Sequence, residues 1–215
     1  MKTLPCLLTL LLLLCCHWCP AQTDAGLLGV GDWSEPVTDG DGHTLQGRLL
    51  VYDDNAPSAA NHARVYLELQ HAFKGSWTNP IEIYFDLAGK ALDLKVRDVH
   101  DNLVPQTPMV IRGMMPAACW ITLPCDSTAR MRSDVYTLGP TSKSDGLEIF
   151  VSGGGWIIPT NVDGEFYLSG TFTPPADHPS ALKYHVWQGT LNLPKVQIPV
   201  RRQPAAPTNP GTSSK

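Results

Sequence analysis

The sequence predicts an all-β protein, arranged as an antiparallel β-sandwich with extended loops. Apolar and polar side chains alternate along many short stretches, and clusters of Pro, Gly and Asp separate these stretches from one another. No stretch shows the period of about 3.6 residues that marks an amphipathic helix. Because alternation buries one face of a strand and leaves the other in water, it favours antiparallel sheets over parallel ones.

The clearest strand is predicted at residues 63–73, after a first strand at residues 47–52. Successive side chains of a strand point to opposite sides of its sheet, so odd and even positions form two separate faces. The buried face is predicted to carry Val65, Leu67, Leu69 and Phe73, and the wet face Arg64, Tyr66, Glu68 and Gln70.

Two further alternating stretches, residues 81–87 and 92–96, are separated only by a short segment that includes Gly89. A short connection that contains a glycine is typical of a β-hairpin. The sequence therefore predicts that these two strands pair with each other.

The rest of the chain holds shorter strand candidates. They are residues 109–112, 119–123, 128–136, 147–151, 156–158, 165–173, 186–193 and 196–200. Near the end, the inward set changes from odd positions such as Leu193 to even positions such as Val196. A face cannot change parity without an extra residue, so we predict a bulge at Pro194 and Lys195. Pro194 also lacks the N–H that a ladder needs, which favours an edge strand here.

The first residues have the composition of a secretory signal peptide. Lys2 is the only charge before Asp24, an apolar stretch follows at residues 7–16, and Ala21 offers a cleavage position. A membrane-spanning helix needs about 20 apolar residues, so this stretch is too short to anchor the mature chain. We expect a secreted protein, or a protein of the bacterial periplasm or cell envelope.

The chain divides into four expected segments. They are a signal peptide at residues 1–21, a lead-in loop at 22–45, a β-sandwich domain at 46–200 and a disordered Pro/Ser/Thr-rich tail at 201–215. A lipoprotein is the alternative to simple cleavage, through Cys15, Cys16 or Cys19. The bulky residues that precede these cysteines disfavour it, because lipidation needs a small residue there.

Composition supports a packed core and argues against a nucleic-acid partner. Hydrophobic residues make up 43% of the chain, which is enough to bury a core. The net charge is −4, and removal of Lys2 with the leader makes it −5. Since a protein that binds nucleic acid needs a basic surface to neutralise phosphates, we expect no such partner.

Only Cys119 and Cys125 remain after cleavage at Ala21. An oxidising compartment favours a disulfide between them. If residues 119–123 form a strand, however, the two Cα atoms lie about 20 Å apart, whereas a disulfide spans at most about 7 Å. A bridge therefore requires a sharp bend near Pro124, and two small buried thiols are the alternative.

Asp39, Asp41 and His43 are candidate metal ligands, because oxygen ligands on a flexible glycine loop suit a hard cation such as Ca²⁺. Residues 98–102 form a similar Asp- and His-containing segment. Asp and Gly also form ordinary turns, and the complete calcium-loop motif is absent, so a plain turn is the favoured interpretation of both.

The sequence contains no motif that combines a nucleophile with a base. We therefore predict a protein without catalytic activity and without a cofactor.

The tryptophans are candidates for ligand binding. Five follow the leader, at Trp33, Trp77, Trp120, Trp156 and Trp187. Trp77 and Trp33 lie in predicted loops, and an exposed aromatic ring can stack on a sugar. Core packing is the alternative, above all for Trp187, which shares its parity with the inward residues of the last strand.

Several features follow one another in a definite order. They are a long strand at residues 65–73, a strand and turn at 94–102, a Leu-Pro stop at 123–124, an Asp-Gly followed by aromatic residues at 163–167, and a closing strand at 187–194. In this order the chain resembles bacterial exported immunoglobulin-like modules. The resemblance implies an immunoglobulin-like β-sandwich over residues 45–200. Fold similarity alone transfers no function.

The expected function is that of an exported non-catalytic envelope or extracellular protein. Its β-sandwich would present a surface to another macromolecule, either a protein or a glycan. One alternative is a carbohydrate-binding module that uses Trp77 and Trp33. A second alternative is a peptidase inhibitor that acts through an exposed loop at residues 105–116.

Overall fold

The computed structural model describes residues 26–53, 62–72, 79–85, 91–108, 119–133, 146–151, 154–159, 164–175, 186–198 and 200. Within these ranges the chain forms thirteen strands and no helix, which confirms the predicted all-β class. The strands are β1 (Leu27–Val30), β2 (Val37–Thr38), β3 (Thr44–Asp53), β4 (His62–His71), β5 (Ile81–Phe85), β6 (Leu92–Asp98), β7 (Thr107–Pro108), β8 (Cys119–Leu123), β9 (Thr128–Arg132), β10 (Gly146–Val151), β11 (Gly154–Pro159), β12 (Phe166–Phe172) and β13 (Leu191–Ile198).

The largest sheet is built around β3 and β4. These two ten-residue strands pair antiparallel along most of their length, from Leu45 opposite His71 to Asp53 opposite Ala63. The strand order is β1-β3-β4-β10-β11-β7, with β2 added to β3 and β9 added to β4.

The second edge of β4 is shared by two strands. Its later residues pair antiparallel with β9, whereas its first residues, from His62 to Arg64, pair parallel with β10. All residues of β10 are buried, and the strand lies between β4 and β11. The parallel pair departs from the purely antiparallel architecture that we predicted. The near-continuous apolar run at residues 147–151 is typical of such an internal strand, covered on both faces.

Two smaller sheets complete the fold. β5 pairs with β8, while β12 lies between β6 and β13, and all these pairs are antiparallel. The predicted hairpin between β5 and β6 is therefore wrong, because the two strands lie in different sheets. Consecutive strands that bury one face in a common core show the same alternation whether they pair or lie in separate sheets.

The pairing of β12 with β13 contains one irregularity. Leu168 lies opposite Val196 and Gly170 lies opposite Leu193, so β13 carries one more residue than β12 between these two pairs. This extra residue confirms the predicted bulge between Leu193 and Val196. The side chains on both sides of it remain buried. β13 is also the terminal strand of its sheet, as predicted.

One hydrophobic core is shared by all three sheets. Three of the inward residues predicted for β4, Val65, Leu67 and Leu69, are fully buried and belong to the same cluster as apolar residues of β5, β6, β12 and β13. The fourth, Phe73, lies outside the described residues. At Gly47 of β3, a Cβ atom would lie 3.1 Å from the side chains of both Leu191 and Leu193. β3 therefore faces β13 directly across the core. The largest fully buried side chains are Trp156, Trp187 and Phe172.

The segment predicted as a lead-in loop, residues 22–45, contains strands in its described part. β1 and β2 both pair with β3, and β3 itself begins at Thr44. Between β1 and β2, the Gly31 N–H donates to the Leu49 carbonyl at 2.9 Å. The segment follows β3 because its backbone completes the hydrogen bonds of that strand.

The predicted signal peptide at residues 1–21 and the predicted tail at residues 201–215 lie outside the described residues, so both stay predictions. The strand candidate at residues 109–112 lies outside them as well. In the part of the chain that the structure describes, no helix is long and apolar enough to cross a membrane.

Candidate functional site

The first predicted metal-binding segment forms a hydrogen-bonded turn between β2 and β3. Asp39 Oδ1 accepts the N–H of Asp41 at 3.1 Å and that of His43 at 2.9 Å. Gly42 has a φ of +87°, a conformation that glycine adopts without steric cost. The Asp39 carboxylate therefore caps its own turn, which is the usual role of Asp in an Asx turn. Among the described residues, no three or more His, Cys, Asp or Glu side chains are grouped so that they could hold a metal ion.

Asp98 organises the turn after β6 in the same way. Its Oδ1 accepts the N–H groups of His100 at 2.9 Å and of Asn102 at 2.8 Å, and its Oδ2 accepts the side-chain amide of Asn102 at 2.9 Å. These hydrogen bonds, led by the one from the Asn102 side chain, lower the pKa of Asp98 below its ordinary value of 3.8. The segment is a self-contained turn.

Cys125 carries a free thiol in the turn between β8 and β9. β8 spans Cys119–Leu123, as the sequence predicted. Ser127 closes the turn, since its N–H and its Oγ both donate to the Pro124 carbonyl, at 3.3 and 2.6 Å. The side chain of Cys119 lies outside the described part of the structure.

Two of the tryptophans are core residues. Trp187 is fully buried, and its indole N–H donates to the His43 carbonyl at 3.2 Å. Trp156 is 2% exposed, and its indole N–H donates to the Val104 carbonyl at 3.2 Å. The indole N–H group of each ring therefore has a hydrogen-bond acceptor within the fold, and the burial of Trp187 confirms that it is a core residue.

Two other tryptophans reach the surface. Trp120 on β8 is 37% exposed, and its ring centroid lies 4.8 Å from that of Tyr84 on β5. Trp33 is half-buried beside β3. Trp77, the other candidate for sugar binding, lies outside the described residues, as does most of the loop at residues 105–116 that was proposed for peptidase inhibition.

Trp33 belongs to a group of charged and aromatic side chains on the face of the large sheet that points away from the core. The strand register places Arg48, Glu68 and Arg130 side by side on β3, β4 and β9. Tyr52 lies on the same face of β3, four positions after Arg48. We call Trp33, Arg48, Tyr52, Glu68 and Arg130 the arginine–aromatic cluster.

Glu68 is the centre of the arginine–aromatic cluster. Arg48 Nε donates to Glu68 Oε2 at 2.6 Å, and Arg130 donates to Oε1 from Nε at 3.2 Å and from Nη2 at 2.9 Å. Only 7% of the Glu68 side chain is exposed. A carboxylate removed from water to this degree requires charged partners, since an unpaired buried charge is strongly destabilising.

Aromatic rings contact both arginines. Arg48 Cζ lies 4.4 Å from the centroid of the Trp33 ring, and Arg130 Cζ lies 5.6 Å from that of Tyr52. Arg130 Nη1 also donates to the Tyr52 hydroxyl at 2.6 Å. Both separations fall within the range of about 6 Å in which a cation is attracted to the face of a ring. Two arginines and one glutamate give the cluster a net positive charge.

Arg48 keeps hydrogen-bonding capacity of its own. Its Nε–H is taken by Glu68, and it makes no other hydrogen bond to a described residue. Its two terminal amino groups are therefore available on a side chain that is 27% exposed. A guanidinium group of this kind matches the paired oxygens of a carboxylate or a sulfate.

Two pairs of titratable side chains lie elsewhere in the fold. His62 Nε2 is 2.9 Å from Glu148 Oε2, and this contact links β4 to β10. The rings of His43 and His71 have centroids 5.9 Å apart, and the Nδ1 atom of each is buried without a partner among the described residues. The first pair joins two strands and the second joins the turn before β3 to the end of β4, so we assign both to the architecture.

A cleft of about 300 Å³ lies between β1 and β13. The strands approach closely here, because a Cβ atom at Gly29 would lie 2.6 Å from the Gln197 carbonyl oxygen. The cleft is lined by Leu28, Gly29, Val30, Val196 and Gln197, none of which is charged. It therefore offers no charged side chain to a ligand.

The sequence predicted Glu68 on the wet face of β4. The side chain lies on that face but is only 7% exposed, because the arginine–aromatic cluster, which alternation did not reveal, surrounds it. Its partners Arg48 and Arg130 lie 20 and 62 residues away along the chain. The alternation of residues within a strand determines the face on which a side chain lies. Which side chains of adjacent strands lie next to it depends on how the strands pair and in which register. Tyr52 and Arg130 each fell within a predicted strand, without any local signal that would have linked them.

A scan against protein-family models, a search of curated proteins and a search of solved structures each found no match. No relative therefore supplies a site with which the arginine–aromatic cluster could be compared. Its own chemistry has to support the functional conclusion.

Proposed function

We propose that the chain is an exported, non-catalytic binding module, folded as an immunoglobulin-like β-sandwich, that presents one sheet face to another macromolecule. The observation that supports this proposal is the arginine–aromatic cluster on the outer face of β3, β4 and β9. Aromatic residues and arginine are the residue types most enriched at binding hot spots. Here four such side chains are held together around Glu68 by hydrogen bonds and ring contacts.

The cluster is held in place before any partner arrives. Arg48 is fixed by Glu68 on one side and by the Trp33 ring on the other. Arg130 is fixed by Glu68 and by the Tyr52 hydroxyl. Side chains that are already ordered lose less conformational entropy on binding, which favours affinity.

Site-specific cross-linking tests this proposal. A photoreactive residue at Thr128, which is exposed on the same face of β9 as Arg130, is expected to form an adduct with a macromolecule of the native envelope or medium. The same residue at Asn192, exposed on β13 in another sheet, is the matched control. Equal adducts from both positions, or none from Thr128, would contradict the proposal. So would turnover of a peptide, ester or glycoside that a single polar substitution abolishes.

A second candidate function is neutral carbohydrate binding, favoured by the exposed Trp120 ring against Tyr84 on the outer face of β8 and β5. Glycan-array binding that is lost in Trp120→Ala, with an unchanged melting temperature, would support this candidate. Binding that Trp120→Ala leaves unchanged would exclude it.

A further inference from the structure

We propose that the ligand of the arginine–aromatic cluster is an acidic polysaccharide, a chain of sugar rings that bear carboxylate or sulfate groups. This inference rests on the proposed function and specifies its partner. It combines two properties of the cluster: an incompletely used guanidinium group and aromatic rings beside it.

The first step concerns the anionic group. Arg48 is held by Glu68 through Nε alone, and its terminal amino groups have no partner among the described residues. These groups can donate two parallel hydrogen bonds to one carboxylate or sulfate. The guanidinium face already lies on Trp33, so the fork is presented in a fixed orientation. Fixed orientation distinguishes this group from a solvated surface lysine.

The second step concerns the number of charges. Arg48 and Arg130 lie on β3 and β9, on either side of Glu68 on β4. Both guanidinium groups converge on the two oxygens of Glu68, so the cluster carries one net positive charge and offers one anion-binding group, the terminal amino groups of Arg48. A sugar ring that bears one carboxylate or sulfate can place that group at Arg48 and its ring near Trp33 or Tyr52. A polysaccharide repeats this unit along its chain.

The third step separates a polysaccharide from other polyanions. An extended acidic peptide usually binds by adding a strand to a sheet edge, but the cluster lies on the face of strands whose backbone groups are already paired. An anionic membrane is held best where apolar side chains accompany the cations, and Leu50, between Arg48 and Tyr52 on β3, is 1% exposed.

Polymer-binding measurements on the full mature chain test the inference. We expect polygalacturonate or heparin to bind, neutral dextran not to bind, and affinity to fall with added salt. Arg48→Gln should weaken binding about tenfold or more, the usual size of one charged hydrogen bond. Arg97→Gln on β6 removes the same charge from another sheet and should change affinity less than about twofold. Equal losses in the two variants, or binding of dextran, would overturn the inference.

A second variant protects the test against misfolding. Arg48→Gln with Glu68→Gln replaces the Arg48–Glu68 ion pair by a glutamine pair like the adjacent Gln46–Gln70 pair at 2.6 Å, and Arg130 keeps its hydrogen bond to the Tyr52 hydroxyl. We expect this double variant to fold, with a lower melting temperature because Arg130 loses its charged partner, and to lose polysaccharide binding. Retained binding would overturn the inference.

Failure of the inference can be told apart from failure of the proposed function. If neither acidic polymer binds while Thr128 still gives a specific cross-linked protein adduct, the polysaccharide is excluded and the binding face is retained. The same conclusion follows if polyglutamate binds as tightly as polygalacturonate. If Thr128 gives no adduct and no polymer binds, both proposals are excluded.

Discussion

At the residue scale, Gly170 and Gly47 differ in what surrounds each α-carbon. A Cβ atom at Gly170 would lie 2.2 Å from the Asp93 backbone carbonyl, which belongs to the neighbouring strand and cannot move freely. We expect Gly170→Ala to lower the free energy of unfolding by about 3 kcal/mol or more. At Gly47 the nearest atoms belong to leucine side chains at 3.1 Å, so Gly47→Ala should stay within about 1 kcal/mol of the parent chain. Urea unfolding measures both, and equal effects would contradict the structure.

The turn at Asp98 gives a pH-dependent contribution to stability. Hydrogen bonds from Asn102 and His100 lower the pKa of Asp98 in the folded state below 3.8. A lowered folded-state pKa means that the ionised form stabilises the turn above pH 3.8, and that this stabilisation is lost as the pH falls through the lowered pKa. Asn102→Ala removes the largest of these contributions, so the pKa of Asp98 should rise towards 3.8 in an NMR titration. Asn192→Ala is the control and should leave the pKa of Asp98 unchanged. An unchanged pKa of Asp98 in Asn102→Ala would show that the Asn102 side chain does not lower it.

At the scale of single elements, the bulge in β13 determines which side chains face the core. Deletion of Lys195 removes the extra residue and should turn Val196 and Ile198, which are 2% and 1% exposed, towards solvent. Each apolar side chain contributes about 1.5 to 3 kcal/mol when buried, so we expect a loss of about 3 to 6 kcal/mol. Lys195→Ala should change the stability by less than about 0.5 kcal/mol. Chemical denaturation compares the two variants, and a well-tolerated deletion would show that the bulge is dispensable.

The sequence predicts those features of a strand that depend only on the alternation of apolar and polar residues within that strand. The faces of β4 and the bulge of β13 follow from alternation alone, since each depends only on the parity of nearby positions. The partner of each strand was not predictable in this way. β5 pairs with β8 and β6 with β12, because the burial of one face in a shared core does not specify which edges meet. The arginine–aromatic cluster was hidden for the same reason.

At the scale of the whole molecule, the single core predicts a single unfolding transition. Residues from all three sheets belong to one buried cluster, and Gly47 on β3 touches β13 across it. Loss of one sheet therefore exposes the apolar face of another. We expect far-ultraviolet circular dichroism and the fluorescence of Trp187 and Trp156 to change at the same denaturant concentration. Two separate transitions would show that residues 46–200 comprise two independent units.

The parallel pairing of β4 with β10 has a consequence for synthesis. His62 on β4 lies opposite Glu148 on β10, so 86 residues must be added after one partner before the other exists. At about 5 to 20 residues per second, the start of β4 keeps an open row of backbone donors and acceptors for roughly 4 to 17 s. A nascent chain in that interval can associate with other chains through this open edge. Holding factors that delay compaction should therefore increase the yield of the native protein, and slow translation between residues 64 and 146 should decrease it.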